Sequence, residues 1–287
     1  MRPYVEKCLS DLSALWGRAA VVWMVCCVGV STASEAVSPK GNASFAATNV
    51  AQSAPWQRIV MIGASATAGF TASEPLGGTN TAHYALSRYV DAALKVPHDP
   101  VVNLGNAFFF FQPEAMGRQQ VGRALTNRPT LIIGLDFPFW FLYGEGDTDE
   151  ARLQRFEQGL KLLEAISCPL VIGDIPDATA AANKMLRPDQ IPSLKAIAAG
   201  NQRLEAWAAG RGHVAVVKLS DFMRQASANR TISIGGHHLP DGQTRMLLQN
   251  DRLHPSPPGC AVLALAVLDA CQATRGGGRD EEFIRDP

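Results

Sequence analysis

The chain has 287 residues, of which 47% are hydrophobic and 18% are charged, and its 26 basic and 26 acidic side chains give a formal net charge of zero. This composition excludes wholesale disorder, and the balanced charge argues against a sequence-independent nucleic-acid binder, which needs a surplus of Lys and Arg. No apolar run has the length of an ordinary membrane span, which excludes a polytopic membrane protein.

Residues 1–33 have the pattern of a secretory signal peptide. An apolar run at residues 19–30 follows basic residues and precedes small ones, so cleavage is expected after Ala33 or Ala36. The alternative is an uncleaved N-terminal anchor, which would be the protein's only association with a membrane. Both interpretations place the rest of the chain outside the cytoplasm, as a secreted, periplasmic or membrane-anchored protein.

The remaining chain divides into three parts. Residues 34–55 are rich in Ser, Ala, Asn and Gly without periodicity, which predicts a flexible linker. Residues 275–287 contain three consecutive glycines, 276–278, followed by mixed charges, and are predicted to be a disordered tail. The folded domain is therefore expected to occupy residues 56–274.

Five short apolar runs alternate with longer segments inside this domain. They are near-continuous and rich in β-branched residues, as expected of parallel strands buried on both faces. The runs are Arg58–Gly63, Val101–Gly105, Thr130–Leu135, Leu170–Gly173 and His213–Leu219.

Amphipathic helical patterns separate these runs. They cover Ala82–Leu94, Leu153–Leu163 and Gln190–Ala209, and Ser256 is expected to cap a last helix that begins at Pro257. The alternation predicts one doubly wound α/β domain, a three-layer α/β/α flavodoxin-like fold with a single parallel sheet of about five strands. Such sheets bind ligands at the carboxyl ends of their strands, so functional residues are expected just after each apolar run.

Three cysteines lie inside the domain. Cys260 and Cys271 are expected on the last helix, about 16 Å apart at 1.5 Å per residue, which is too far for a disulfide. A disulfide from Cys168 to Cys260 or to Cys271 stays an open alternative. No cysteine has the spacing of zinc ligands, and His237 and His238 are interpreted as loop residues, so no metal or other cofactor is expected.

A serine follows the first predicted strand in Gly63-Ala64-Ser65-Ala66-Thr67. A serine in a turn of small residues is approachable, and a helical turn that begins there would present free N–H groups to an oxyanion. The motif lacks the second glycine of G-x-S-x-G and the G-K-[ST] of a phosphate loop. By itself it also fits a plain structural turn.

Asp251 and His254 lie three residues apart, just before the last helix. A turn of this spacing brings the carboxylate to one imidazole nitrogen and leaves the other to take a proton from a hydroxyl. By themselves these residues also fit an ordinary loop.

Together, the two blocks resemble those of the SGNH (GDSL-type) hydrolase superfamily. Ser65 matches the nucleophile of its G-x-S-x-[ST] block, and Asp251-x-x-His254-Pro255-Ser256 with Gly259 matches its D-x-x-H-P-x-x-x-G block. The resemblance spans roughly residues 58–271. It implies Ser65 as nucleophile, His254 as general base and Asp251 as the residue that orients His254.

The resemblance also suggests oxyanion donors, with one departure from the family pattern. Asn103-Leu104-Gly105 matches the second block, which implies the backbone N–H groups of Ser65 and Gly105 as donors. In the third block, usually G-x-N-D, Asp136 replaces the donor Asn. Three alternatives stay open: Asp136 donates as a protonated acid, Asn106 supplies the amide, or the site is weak or inactive.

Aromatic residues follow the second and third predicted strands. Phe108, Phe137 and Trp140 are the candidates for an apolar substrate pocket, and the alternative is that they pack loops onto the core. Asp174 and Asp177 follow the fourth strand and are interpreted as turn residues, with a position lining the cleft as the alternative.

The sequence therefore predicts an esterase of the SGNH type, secreted or periplasmic, that acts on a small-molecule, lipid or glycan ester. A catalytically weak domain that binds an extracellular glycan or envelope component is the first alternative. An O-acyltransferase is the second, because its first half-reaction is identical.

Overall fold

A computed structural model describes residues 56–144, 148–234 and 236–273. The predicted signal or anchor, the linker and the tail lie outside these residues. Within the described ranges, no helix is both long enough and apolar enough to cross a membrane.

Five parallel strands form the central sheet, in the order β2-β1-β3-β4-β5. Each strand lies within one of the five apolar runs, so the sheet of about five strands is confirmed. The strands are β1 (Ile59–Met61), β2 (Val102–Asn103), β3 (Leu131–Gly134), β4 (Leu170–Gly173) and β5 (Val214–Val217).

Helices connect the strands and cover both faces of the sheet. They are α1 (Ser65–Ala68), α2 (Leu86–Ala93), α3 (Pro113–Thr126), α4 (Phe139–Leu142), α5 (Asp149–Leu163), α6 (Leu194–Ala209), α7 (Leu219–Ser227) and α8 (Pro257–Ala273). Short 3₁₀ turns occur at Thr81–His83, Phe109–Phe111, Thr179–Ala181, Pro188–Gln190 and Thr244–Leu247.

Successive side chains of each strand point to opposite faces of the sheet, and each face has its own hydrophobic core. Ile59 and Met61 of β1 face a core that includes α2, α7 and α8, whereas Val60 faces a core that includes α3, α5 and α6. β1, β3 and β4 are buried at every position, which is why these strands contain only apolar residues and glycine. The edge strand β2 is half-buried and ends on Asn103. The predicted three-layer α/β/α architecture is confirmed.

The last helix begins where the sequence predicted. α8 starts at Pro257, and the Ser256 hydroxyl accepts a hydrogen bond from the Gly259 N–H at 3.3 Å. Cys260 and Cys271 both lie on α8, as expected. No disulfide joins Cys168 to either of them in the described structure, so the bridge left open by the sequence is not formed.

A two-stranded antiparallel hairpin was not predicted. It consists of β6 (Ile232–Ile234) and β7 (His237–Leu239), with His238 Nδ1 3.1 Å from the Ser233 hydroxyl. The interpretation of His237 and His238 as loop residues was therefore wrong. The alternation around Ile232, which is buried, has the period of a strand with one covered face.

Candidate active site

Ser65 lies at the first position of α1, directly after β1. Gly63 has a φ of +149°, which only glycine adopts readily, and Gly69 ends the helical turn in the left-handed region with a φ of +92°. These two glycines allow the chain to leave the sheet, form one turn and reverse. Ser65 thereby stands at the carboxyl edge of the sheet, with 9% of its surface exposed.

Asp251 and His254 lie on the loop before α8. Asp251 Oδ1 accepts hydrogen bonds from the N–H groups of Leu253 and His254 at 2.9 and 3.0 Å, which folds the loop around its own carboxylate. The second oxygen, Oδ2, then lies 2.7 Å from His254 Nδ1. Both side chains are buried.

The two ends of the domain meet at the serine. His254 Nε2 lies 2.8 Å from Ser65 Oγ, although 189 residues separate them in sequence. The predicted convergence of Ser65, His254 and Asp251 is thus confirmed as geometry. With the proton of the neutral imidazole on Nδ1, facing Asp251, Nε2 is free to accept the hydroxyl proton.

The environment of Asp251 keeps its carboxyl group ionised. Burial acts to raise its pKa, but the hydrogen bond and positive charge of His254, with the two backbone N–H donors, outweigh burial and lower the pKa below its usual value. An ionised Asp251 holds the ring orientation of His254 and stabilises its charged form.

Two residues outside the predicted motifs support this arrangement. The Phe70 ring packs on His254 with centroids 4.3 Å apart. Gln249 Nε2 donates to the carbonyl oxygens of Phe70 and Pro255 at 2.8 and 2.9 Å, which links the loop after α1 to the loop that carries His254. Phe70 and Gln249 were not predicted because neither residue belongs to a sequence motif.

Asp136 follows β3 and faces the turn that carries Ser65. Its Oδ1 accepts from the Ala64 N–H at 3.0 Å and the Thr67 hydroxyl at 2.5 Å, and its Oδ2 accepts from the N–H groups of Ala66 and Thr67 at 2.8 and 3.2 Å. Because both oxygens accept hydrogen bonds from this turn, the structure does not support the alternative in which Asp136 donates to an oxyanion as a protonated acid. Asp136 instead caps the Ser65 turn, residues 63–69.

Gln120 of α3 holds the same turn from the other side. Its Oε1 accepts the Gly63 N–H at 2.8 Å, and its Nε2 donates to the Gly63 carbonyl oxygen at 2.9 Å. Gln120 belongs to none of the sequence motifs and was not predicted. Its signal is a polar side chain on the row of α3 that also carries the buried Gly117, Val121 and Ala124.

Gly105 and Asn106 lie beside this turn, after β2. The Gly105 N–H donates to Asn103 Oδ1 at 2.9 Å, so the expected oxyanion donor has a partner within the chain. The Asn106 N–H donates to the Gly63 carbonyl oxygen at 3.0 Å. Asn106 Nδ2 has no hydrogen-bond partner among the described residues, which leaves this amide available to a ligand.

The predicted aromatic pocket residues have different positions. Trp140 lines a pocket that includes Ser65 and His254. Phe137 is fully buried in the core against Phe109 and Phe141, and Phe108 is 36% exposed. The pocket roles expected for Phe137 and Phe108 were therefore wrong, because their rings point into the core and to the surface.

Asp174 lies on the wall of the same pocket. Its carboxylate accepts from the N–H and hydroxyl of Ser220 at 2.7 and 2.6 Å, at the start of α7, and burial raises its pKa. Asp177 accepts the Thr179 N–H at 2.9 Å and has the predicted turn role. No group of three metal-ligating side chains occurs in the described part of the chain.

Solved structures share this fold. The lipase/acylhydrolase from Enterococcus faecalis is 17% identical, with a TM-score of 0.50, and the match covers 80% of this chain and 98% of that one. Two further matches are a GDSL-like lipase from Bacteroides thetaiotaomicron (14%, TM-score 0.45, 77% and 88% covered) and the esterase EstA from Pseudoalteromonas (14%, TM-score 0.43, 77% and 100% covered).

The first of these likenesses shows that the chain has the fold of a lipase/acylhydrolase, in agreement with the fold that the resemblance to the SGNH superfamily implied. No protein-family model matches the sequence, and no curated protein matches it either.

Proposed function

We propose that this protein is a serine hydrolase of the SGNH type that cleaves carboxylic esters through an acyl-enzyme. The observation that carries the proposal is the buried hydrogen-bonded chain from Asp251 through His254 to Ser65. A carboxylate, an imidazole and a hydroxyl in this order activate the hydroxyl as a nucleophile. These three hydrogen-bonded side chains lie at the carboxyl edge of the sheet, where α/β folds bind their ligands.

In the first half-reaction, Ser65 Oγ bonds to the ester carbonyl carbon while its proton moves to His254 Nε2. The tetrahedral intermediate then collapses, the bond to the alkoxy oxygen breaks, and His254 gives the proton to the departing alcohol. Asp251 stabilises the charged imidazole throughout. The product is an ester between Ser65 and the acyl group.

In the second half-reaction, water attacks the acyl carbon and His254 takes its proton. The bond between Oγ and the acyl carbon breaks, Ser65 recovers the proton, and a free carboxylic acid leaves. The sum is ester plus water giving acid plus alcohol, so the chemistry balances without any cofactor.

We assign the oxyanion to the Ser65 N–H and the Asn106 side-chain amide. The Ser65 N–H lies at the start of α1, where helical N–H groups lack partners within the helix. Gly105 also lies at this edge, but its N–H would have to leave or share Asn103 Oδ1. A single oxyanion donor contributes on the order of 10²- to 10³-fold to the rate.

Labelling with a fluorophosphonate probe tests the nucleophile, because the probe reacts with activated serines. We expect the wild type to be labelled and Ser65→Ala to be silent. Ser233→Ala is the matched control, since Ser233 is an exposed serine of the β6–β7 hairpin, and it should label like the wild type. An unlabelled, folded wild type would overturn the proposal and favour a domain that binds without catalysis.

The extracytoplasmic location is a separate proposal that rests on the pattern of residues 1–33. N-terminal sequencing of exported protein should find a start near Ser34 or Val37. An intact Met1 in a membrane fraction would support the anchor, and cytoplasmic retention of the whole chain would contradict both.

A further inference from the structure

Gln120 is a buried polar residue on α3, a helix that packs in one of the two cores. Its exposed fraction is 4%, and the other buried residues of this helix are Gly117, Val121 and Ala124. Burying an amide costs free energy unless both its donor and its acceptor are hydrogen-bonded. A methionine of similar size would fill the same space without that cost. The amide of Gln120 therefore needs an explanation beyond packing.

Both polar atoms of this amide bind the backbone of one residue, Gly63. Gln120 Oε1 accepts the Gly63 N–H at 2.8 Å, and Nε2 donates to the Gly63 carbonyl oxygen at 2.9 Å. Only one orientation of the amide makes both bonds, because the N–H needs an acceptor and the carbonyl needs a donor. Gly63 lies two residues before Ser65, so this pair of bonds holds the backbone where it enters the Ser65 turn.

The Gly63 carbonyl oxygen also joins the Ser65 turn to the loop after β2. It accepts a second hydrogen bond, from the Asn106 N–H at 3.0 Å, which uses its second lone pair. Asn106 is also the residue whose side-chain amide we assign to the oxyanion. One carbonyl group thus connects the helix that carries Gln120, the turn that carries the nucleophile and the loop that carries the proposed oxyanion donor.

The helix α3 is packed closely enough to serve as a fixed support. A Cβ built on Gly117 would lie 3.1 Å from the rings of Phe137 and Phe141. This close approach leaves little room for α3 to shift, because protein cores are densely packed. An amide anchored on such a helix holds Gly63 more precisely than a side chain on a loop would.

We propose that Gln120 is a positioning residue that acts through the Gly63 peptide to set the distance between Ser65 Oγ and the Asn106 amide. The inference rests on the proposed ester hydrolysis and adds to it a residue outside the pocket that includes Ser65 and His254. The oxyanion forms on the carbon that is bonded to Ser65 Oγ, so a displaced Ser65 turn moves the oxyanion away from the amide. Misplacement by about 1 Å lowers a rate on the order of 10²-fold.

The substitution Gln120→Met tests the proposal because it removes both hydrogen bonds and keeps the volume. For a p-nitrophenyl ester, we expect kcat to fall about 10- to 10²-fold with KM within about twofold of wild type, because the oxyanion exists only after the substrate has bound. Wild-type kcat in folded Gln120→Met would overturn the inference and leave the esterase in place.

Two variants on the same helix are the controls. Gln119→Met makes the same change at the exposed neighbouring residue and should retain wild-type kcat. Val121→Ala removes buried apolar atoms, so it should lower the resistance to urea without lowering kcat. An equal loss of kcat in Val121→Ala and Gln120→Met would show that destabilisation alone explains the effect, and would contradict the positioning role.

A double-mutant cycle with Asn106→Ala tests whether Gln120 acts through the oxyanion amide. Once this amide is absent, its distance from Ser65 no longer affects the rate, so adding Gln120→Met should lower kcat by less than about threefold. A role independent of Asn106 would instead make the two separate losses multiply. Multiplied losses would therefore overturn the proposed route through the amide.

The variant Gln120→Glu keeps the inference testable if Gln120→Met does not fold. A protonated glutamic acid offers Gly63 a donor and an acceptor, as Gln120 does, whereas an ionised one has no donor. Burial raises the pKa of an introduced carboxyl, so the ratio of kcat in the variant to kcat in wild type should rise as the pH falls. A constant ratio from about pH 5 to 9 would contradict the role of the donor. Absence of both ester hydrolysis and fluorophosphonate labelling in wild type would instead remove the proposed function.

Discussion

The ring of Phe70 lies against the imidazole of His254, with the ring centroids 4.3 Å apart and the planes inclined by 33°. Phe70 directly follows Gly69, which ends the Ser65 turn, and its carbonyl oxygen accepts a hydrogen bond from Gln249. The segment that positions Ser65 therefore also covers one face of the His254 ring.

Replacing Phe70 should allow the His254 ring more freedom of orientation without changing its hydrogen-bonding groups. In Phe70→Ala the imidazole loses a packed aromatic face, a contact worth about 0.5–1.5 kcal/mol. We expect kcat to fall up to about tenfold with KM little changed. Phe111→Ala, which removes a 55% exposed ring, is the control and should retain wild-type kcat. Equal activity in both variants would show that the packing does not position His254.

The hydrogen bonds from the Ser65 turn to Asp136 predict that an amide cannot replace this carboxylate. In Asp136→Asn the –NH₂ group would face N–H donors, which leaves buried groups unsatisfied at about 1–3 kcal/mol. Both the free energy of unfolding and kcat should therefore decrease, as measured by urea denaturation and ester hydrolysis. Retained or increased activity would point back to an oxyanion-donor role at position 136.

The substitution Asn106→Ala tests whether the Asn106 amide binds the oxyanion, separately from the capping role of Asp136. Asn106 Oδ1 accepts the Phe108 N–H at 2.8 Å in an exposed turn, so the substitution should lower the unfolding free energy by only about 0.5–1.5 kcal/mol. The same change should lower kcat by about 10²- to 10³-fold if the amide binds the oxyanion. An unaffected kcat would reject Asn106 as the donor.

Two glycines offer a matched pair of substitutions. A Cβ built on Gly105 would lie 2.7 Å from the Ala68 backbone nitrogen, so Gly105→Ala must displace the Ser65 turn and should reduce activity strongly. Gly122 of α3 has no atom within 4 Å of such a Cβ. Gly122→Ala should therefore keep full activity and raise the unfolding free energy by roughly 0.5–1 kcal/mol. Equal activities in the two variants would contradict this account of the close approach.

The lowered pKa of Asp251 predicts how stability depends on pH. The folded pKa lies below the unfolded value of about 3.9, so the stabilisation is present above that value and is lost as the pH falls through the folded pKa. Relative to Asp251→Asn, wild type should be more stable at pH 7, and the difference should shrink in acid. Urea denaturation of both proteins from pH 2 to 7 measures it, and a pH-independent difference would refute the linkage. The same substitution should lower kcat on the order of 10⁴-fold.

The sequence carried the features that follow from short-range patterns. β4 coincides with the run Leu170–Gly173 because a strand buried on both faces is apolar at every position. Ser256 and Pro257 marked the start of α8 through capping chemistry. Ser65, Asp251 and His254 could be named as candidates because the turn geometry of each block is local, and because the order of the blocks resembles that of the SGNH superfamily.

Features that depend on long-range packing could not be predicted in this way. Whether Asp136 donates or accepts depends on the turn after β1, some 70 residues earlier, whose N–H groups it meets only in the folded chain. Phe137 and Met223 have the same hydrophobic signal in the sequence, yet one fills the core and the other lines the pocket. Strand and helix periodicity identify buried faces, but they do not say which buried side chains border a void.

The separation of 189 residues in sequence between Ser65 and His254 has a consequence for folding during synthesis. When β1, β3 and β4 have emerged from the ribosome, Ser65 and most of the sheet are present, but His254 has not yet been synthesised. Since long-range contacts of this kind form late and slowly, hydrolytic activity should appear only after α8 has docked on the sheet. The onset of activity therefore reports completion of the whole domain, and a chain truncated before residue 251 should be inert towards esters.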